Sequence, residues 1–216
     1  MIGLIIGGGC LESAFLEEML ARFPEAVIIA ADRGAETLKA VGRYPDYMLG
    51  DFDSASAETK SFFEASRCPT EVYPAEKDFT DTEAAIRKAL AMGCEELWLL
   101  GMTGGRLDHF LANVHNLLLP LEAGVRAVIA DPQNRISLLD GRTVVRKDEA
   151  FGRYISFLPL TDRVEGLTLE GFRYPLNKCS LGKGISLCVS NEMAENEAIV
   201  SFDGGILMMI QSKDRK

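Results

Sequence analysis

Up to Ala130 the chain alternates short apolar runs with amphipathic stretches, and no other feature of the sequence restricts the fold as much. The runs Ile2 to Ile6, Val27 to Ala31, Glu71 to Tyr73, Leu97 to Gly101 and Val125 to Ala130 have the length of strands. Between them, Leu11 to Arg22, Gly34 to Val41, Ala55 to Ala65, Thr80 to Met92 and Leu107 to Leu119 carry apolar residues three and four apart, the period of a helix with one buried face. Repeated strand and helix predict a mostly parallel sheet covered on both faces, a Rossmann-like α/β layer. Ligands on such sheets bind outside the carboxyl ends of the strands.

From about Arg135 the pattern changes to short, β-branched or period-two runs: Thr143 to Arg146, Tyr154 to Leu158, Val164 to Leu169, Gly184 to Val189, Ala198 to Phe202 and Gly205 to Gln211. These predict an antiparallel β-sandwich. Asp203-Gly204, between the last two runs, is the signal of a two-residue hairpin with a type I′ turn. The change of pattern puts a boundary between Asp131 and Asn134, giving an α/β domain over residues 1–133 and a β domain over 134–216.

A chain of 216 residues buries roughly 70% of its unfolded surface and needs no disulfide or structural metal to hold a core. The five cysteines contain no C-x-x-C pair, and their odd number suits reduced thiols and a cytoplasmic protein. No apolar run approaches the roughly 20 residues that span a bilayer, and the apolar start lacks a basic flank, so neither membrane nor signal peptide is expected. A net charge of −9 disfavours a nucleic-acid surface and suits a cationic ligand or a metal. His109 and His115 are six residues apart, which does not match the i, i+4 spacing of a zinc helix.

Three carboxylate-bearing segments concentrate the chemistry. Gly50-Asp51-Phe52-Asp53-Ser54 follows the short apolar piece Tyr47-Met48-Leu49, so Asp51 and Asp53 lie just past a strand, where they either hold a cation or cap the next helix. Lys77-Asp78-Phe79-Thr80-Asp81 precedes a helix, with Thr80 and Glu83 in capping-box spacing and Asp81 in the first turn. Thr103-Gly104-Gly105-Arg106-Leu107-Asp108-His109 joins a strand to a helix, a place where backbone amides cradle phosphate and Arg106 adds a guanidinium fork. In that helix Phe110, Leu111, Val114, Leu117 and Leu118 mark a buried face, and His109, Asn113 and Asn116 a polar one. Two carboxylates about 4 Å apart repel by about 1 kcal/mol in bulk water and about 4 at an effective dielectric of 20, so such a cluster favours a cation among hard oxygen ligands, which points to magnesium. Gly7-Gly8-Gly9 lacks the third glycine of a dinucleotide fingerprint and reads as a tight turn, whereas Asp32-Arg33-Gly34-Ala35 ends a strand and faces the ligand crevice.

Taken in order, Ala31-Asp32-Arg33-Gly34-Ala35, Gly50 to Ser54, Lys77 to Glu83 and Gly104 to Asn113 resemble the thiamine pyrophosphokinase family, and Val189-Ser190-Asn191-Glu192 resembles its thiamine-binding end. Arg33 departs from the family pattern, which often has a second glycine there. The resemblance implies ATP-dependent pyrophosphoryl transfer to thiamine, giving thiamine diphosphate and AMP. It also implies a homodimer with thiamine pockets between subunits. Asp51, Asp53 and Asp81 would surround Mg2+ with Asp78 close by, and Arg106 and Lys77 would contact phosphates beside Thr80, Gly104 and Gly105. Asp32, Asp108 and His109 would shape the nucleotide site, and Ser190 and Asn191 would hold the thiamine pyrimidine. Asp78 and Asp81 are the candidates for taking the hydroxyl proton. Two rival readings are a magnesium phosphohydrolase with Asp51 as nucleophile and a sensor that binds without turnover.

Overall fold

The computed structural model describes residues 1–50, 68–72 and 78–214; Asp51, Asp53, Lys77 and the helical pattern Ala55 to Ala65 lie outside the described residues. Two compact units are present, Met1–Pro132 and Gln133–Lys216.

The first unit holds strands β1 (Ile2–Ile6), β2 (Val27–Ala31), β3 (Tyr47–Gly50), β4 (Thr70–Val72), β5 (Glu96–Leu100) and β6 (Arg126–Ala130), with helices α1 (Ser13–Arg22), α2 (Gly34–Ala40), α3 (Asp81–Ala91), α4 (Leu107–Asn116) and α5 (Leu118–Glu122). Its strands run parallel in the order β4-β3-β2-β1-β5-β6. Alternate residues go to opposite faces. Leu4, Ile6, Ile28, Ala30, Trp98 and Leu100 pack with Phe15, Leu16, Met19 and Leu38 of α1 and α2. α3 packs on β1, β2 and β3 and buries Ala84, Ala85, Ile86 and Ala89. Burial on both faces is why these strands read as continuous apolar runs. The chain winds from β1 out to β4 and then returns to β5 on the other side of β1. The crevice between the carboxyl ends of β1 and β5 is therefore the topological switch point.

One long helix over Leu107 to Leu119 is not what forms. α4 ends at Asn116 and α5 begins at Leu118, because Pro120 has no N–H to return to the carbonyl of Asn116. The buried face also differs from the apolar pattern: Asn113, Val114 and Leu117 are buried, whereas Leu111 is exposed.

The second unit is a sandwich of two antiparallel sheets. One has the order β7-β13-β9, from Asn134–Leu139, Leu207–Ser212 and Tyr154–Pro159; the other has the order β11-β10-β12-β8, from Leu176–Gly182, Arg163–Glu170, Glu197–Ser201 and Thr143–Arg146. Their facing residues form one core, in which Phe157 and Phe172 meet edge to face with centroids 5.5 Å apart.

Two expectations for this unit fail. Asp203-Gly204 is no hairpin turn: β12 pairs with β10 and β8, β13 pairs with β7 and β9, and the link crosses between sheets. Positive φ falls on Gly205 alone, and Asp203 N and Gly204 O bond to the backbone of Glu165 instead. Gly184 to Val189 is a run of turns, with Ile185, Leu187 and Val189 facing outward. The strand there is β11, an end strand whose polar sequence and bulges hid it.

Candidate active site

Three loops meet at the carboxyl ends of β1, β2 and β5. Gly7-Gly8-Gly9 lies between the other two: Gly9 N donates to Gly101 O at 2.8 Å, and a Cβ on Gly8 would stand 3.1 Å from the Cβ of Arg33. Beyond it α2 starts hard against β1, since a Cβ on Gly34 would stand 1.9 Å from Ile6 O. Only glycine permits that approach. The triplet thus serves as close packing between loops, as a tight turn requires. Asp32 closes β2 with φ +49° and donates its N–H to Leu49 O at 2.9 Å, so it stands beside the point where the chain leaves β3 toward Asp51. Arg33 turns to the surface and pairs with Glu36 at 4.0 Å.

The loop after β5 is tied on several sides. Cys10 N donates to Thr103 O and Gly104 O at 3.2 and 3.3 Å, and Thr103 Oγ1 donates to Asp131 Oδ2 at 2.9 Å. Asn113, buried on α4, donates Nδ2 to Met102 O at 3.2 Å. Gly104 and Gly105 take φ of +68° and +144°, which a side chain would strain, and they lead directly into the start of α4. Arg106, at the N-cap position, is exposed and grips Asp108 through Nε at 3.1 Å and its terminal amino group at 2.5 Å. That grip, joined by the backbone N–H of His109, holds the Asp108 carboxyl down at about 2 and raises the Arg106 guanidinium. A solvent-facing guanidinium beside the first amides of a helix is a pairing that suits an anion.

The start of α3 joins this corner. Thr80 caps it by accepting from Glu83 N at 3.2 Å, while the Glu83 carboxylate goes to Arg87 rather than back to Thr80, so only half of the capping box forms. Asn116 Nδ2 of α4 reaches Thr80 Oγ1 at 3.5 Å, and Thr82 Oγ1 approaches Met102 Sδ at 3.7 Å. These contacts bring Thr80 and Asp81, in the first turn of α3, beside the loop that carries Gly104, Gly105 and Arg106. Asp78 is exposed just before the cap, and His109 is exposed in the first turn of α4. Among the described residues no three acidic, histidine or cysteine side chains converge on one point. Asp51 and Asp53 lie outside that set. An all-carboxylate donor set of Asp51, Asp53 and Asp81 suits a hard cation such as magnesium.

In the second unit, Ser190 and Asn191 lie on a segment threaded between β9 and residues Phe172 to Tyr174. Ile155 N donates to Asn191 O at 2.8 Å, Ser190 N to Ser156 Oγ at 2.9 Å and Arg173 N to Glu192 O at 2.8 Å. Ser190 is exposed with φ +60°. Asn191 is 2% exposed, and its carboxamide accepts from Tyr174 N and Glu192 N while donating to Tyr174 O. Glu192 receives Arg153 and Arg173 at 3.0 and 3.1 Å, and Arg153 foremost lowers its carboxyl below the usual range. The sequence sets Asn113 on a polar stripe and Thr103 in the glycine loop without showing what either bonds, and gives no sign of Tyr174; Asp131, directly after a strand's carboxyl end, carried a signal that motif matching did not use.

Residues 23–129 match the model of the thiamin pyrophosphokinase catalytic domain, and residues 142–207 that of the thiamin pyrophosphokinase vitamin B1 binding domain. The chain belongs to the thiamine pyrophosphokinase family. It is 40% identical to the thiamine pyrophosphokinase of Bacillus subtilis over 187 residues, 86% of this chain and 87% of that one. The crystal structure of thiamine pyrophosphokinase from Bacillus subtilis superimposes over 100% of both chains with a TM-score of 0.87 and 34% identity. That of the Geobacillus thermodenitrificans protein covers 100% of this chain and 99% of its own, with a TM-score of 0.86 and 37% identity. As a thiamine pyrophosphokinase, the chain is an enzyme that transfers pyrophosphate from ATP to thiamine, giving thiamine diphosphate and AMP.

Proposed function

We propose that the first unit carries the ATP side of this reaction and the second the thiamine side, with Mg2+ held by Asp51, Asp53 and Asp81. The observation that carries the ATP assignment is the joining of α3's capped start to the Gly104-Gly105-Arg106 loop, through Asn116 and Thr80 and through Thr82 and Met102. That corner lies at the switch point of a parallel sheet, where phosphates meet helix amides. Thr80, Gly104, Gly105 and Arg106 bind the phosphate chain together with Lys77, and Asp32, Asp108 and His109 shape the nucleotide site. Bound magnesium supplies neutralisation of the phosphate oxygens.

The thiamine hydroxyl oxygen attacks the β-phosphorus, the bond to the oxygen bridging the α- and β-phosphorus breaks, and AMP leaves with that oxygen. Catalysis is positioning plus charge: Arg106 and Lys77 stabilise charge on the transferring group, and Asp78 or Asp81 takes the hydroxyl proton. Ser190 and Asn191 form the thiamine end. The working protein is a cytoplasmic homodimer with thiamine pockets between subunits. Among the described residues no helix is long and apolar enough to cross a membrane.

The test is chromatographic. Incubation with ATP, magnesium and thiamine should yield thiamine diphosphate and equimolar AMP; ADP with thiamine monophosphate would overturn the attack at the β-phosphorus. Asp81→Asn, nearly isosteric, should abolish turnover with the fold intact, and an active variant removes Asp81 from the metal site. Sedimentation as a fully active monomer at micromolar concentration would refute the shared pocket.

A further inference from the structure

The polar stripe on α4 includes two carboxamides to which the transfer reaction assigns no chemistry. Asn113 and Asn116 are three residues apart and share one face of the helix. Asn113 is buried and donates Nδ2 to the main-chain O of Met102 at 3.2 Å, and Met102, also buried, directly precedes Thr103 and Gly104. The Met102 side chain lies against the first glycine loop, since a Cβ on Gly7 would stand 3.0 Å from its Sδ, and it receives Thr82 Oγ1 at 3.7 Å. α4 is thereby fixed to the loop that leads into it. From this anchored helix Asn116 Nδ2 donates to Thr80 Oγ1 at 3.5 Å. A threonine hydroxyl has one proton to give and two lone pairs. An N-cap uses one lone pair, here filled by Glu83 N at 3.2 Å, which leaves the proton two staggered positions to choose between. At Thr80 the Asn116 amide fills the second lone pair, so a single direction remains for the proton.

We propose that Asn116 is a positioning residue for ATP: by occupying the second lone pair of Thr80 it fixes that hydroxyl as a donor to a phosphate oxygen, while Asn113 holds the helix from which it acts. The inference rests on the reading of the start of α3 and the Gly104-Gly105-Arg106 loop as the phosphate site. An ionised phosphate oxygen only accepts, so a hydroxyl held as a donor suits it, whereas a hydroxyl free to turn presents a lone pair to it part of the time. Asn116 itself needs no contact with substrate for this.

The test measures the dissociation constant of α,β-methylene ATP with magnesium by calorimetry in purified full-length variants, with thermal melting and the apparent KM for thiamine alongside. Asn116→Asp is nearly isosteric, but its carboxylate accepts and so draws the Thr80 proton onto itself. The analogue should bind it about 10-fold or more weaker than it binds Asn116→Ala, the loss expected when one bond to a charged group is withdrawn. Charge repulsion alone would also weaken binding, and a Thr80→Gly background separates the two, because it removes the hydroxyl at little cost to the cap. There the two Asn116 variants should differ by less than about 3-fold, since residues acting through one another are not additive. An equal difference in both backgrounds, or no difference with Thr80 in place, overturns the proposal. So does an equal rise in thiamine KM, which would mean general loss of structure. Should Asn116→Asp fail to fold, Asn116→Ala decides: it should weaken the analogue about 2-fold, for the two positions then open to the proton, and have no effect in the Thr80→Gly background. Weakening in both backgrounds or in neither overturns the proposal. Arg106→Ala separates the two levels. If it and Thr80→Gly both leave analogue binding unchanged, the phosphate reading of this corner fails; if both weaken it while the Asn116 variants bind as wild type does, only the present proposal fails.

Discussion

Gly104→Ala tests how the proposed phosphate corner is built, because two natural controls share its backbone strain without its surroundings. Gly104, Gly93 and Gly124 have φ of +68°, +80° and +70°, all in the first unit. A Cβ on Gly93 or Gly124 meets nothing within 4 Å, whereas on Gly104 it would stand 2.8 Å from the Cβ of Cys10. Left-handed alanine costs roughly 1–2 kcal/mol, and the stiffer unfolded chain returns roughly 0.4–1, so the controls should lose about 1 kcal/mol. Gly104→Ala adds overpacking of roughly 1–3 kcal/mol if the loop holds its place. If the loop yields instead, the bonds from Cys10 N to Thr103 O and Gly104 O stretch, and Arg106 moves with the chain. A displacement of about 1 Å at such a site costs about 100-fold in rate. Urea denaturation and AMP release at limiting ATP read the two alternatives. At about 2–4 °C per kcal/mol, thermal melting gives an independent check. If Gly104→Ala matched both controls in stability and in kcat/KM for ATP, the packing of this loop against Cys10 would have no part in binding phosphate.

Thr80→Ala removes the N-cap of α3 and should destabilise the first unit by about 1 kcal/mol, read by urea denaturation; no change would mean that the cap contributes nothing. Asp108→Asn releases Arg106. The Asp108 carboxyl is held down at about 2, so the pair is intact above the unfolded carboxylate pKa of about 4 and is lost only as pH falls toward 2; the variant's effect on ATP KM should therefore be constant between pH 6 and pH 9, and a sigmoidal change there would refute the pairing. Burial pushes the Cys188 thiol up to about 11, so it should resist a thiol-specific disulfide reagent at pH 8 in the native protein and react only after unfolding, whereas the exposed Cys10 should react at once. Because that value is raised, any stability Cys188 contributes is complete below the unfolded thiol value and declines as pH climbs toward 11. Lys178→Gly should stabilise the second unit by up to about 1 kcal/mol, because left-handed strain of roughly 1–2 kcal/mol is relieved against an entropic cost of roughly 0.5–1; turnover should not change, and a destabilised variant would show the strain estimate to be wrong.

The α/β half was legible because its signals are local and redundant. β1, β2 and α3 carry periodic apolar residues bounded by recognisable caps, and burial on both faces of the sheet leaves little ambiguity about strand type. The β half was less legible because strand pairing is decided at a distance. Leu176–Gly182 buries only Leu181 fully, so an end strand looked like a loop, while the alternation at Ile185, Leu187 and Val189 mimicked a strand in a run of turns. Asp203-Gly204 failed for a related reason. A hairpin signal specifies two central residues but not which sheet each flanking strand joins, and here Glu165 claims the linker's backbone. At the candidate site the motifs named loops that the described residues bring together, but not the tethers between them. Asn113 fell on a polar stripe and is in fact buried, because a backbone carbonyl at Met102 needs its amide.

Backbone strain gives a view of the site that owes nothing to motifs. Among the described residues three non-glycine positions adopt positive φ: Asp32, Lys178 and Ser190. Lys178 has a local mechanical cause, since β11 is irregular against β10 between Leu167 and Leu169 and Lys178 N donates to Thr168 Oγ1 at 3.1 Å. Beside Asp32, by contrast, β2 pairs in unbroken register with β1 and β3, and Ser190 precedes the isolated bridge from Asn191 to Ile155. Asp32 stands at the end of a central strand against Gly50, and Ser190 is held from both sides, by Ser156 Oγ on its own N–H and by the Ile155 bond to Asn191. Each costs roughly 1–2 kcal/mol that glycine would avoid. A serine kept where glycine is easier is explained if its hydroxyl is needed at that spot, and an aspartate, which tolerates the left-handed region better than most residues, if a carboxylate is needed. Two of the residues that sequence motifs selected for ligand contact thus coincide with two of the three points of strain.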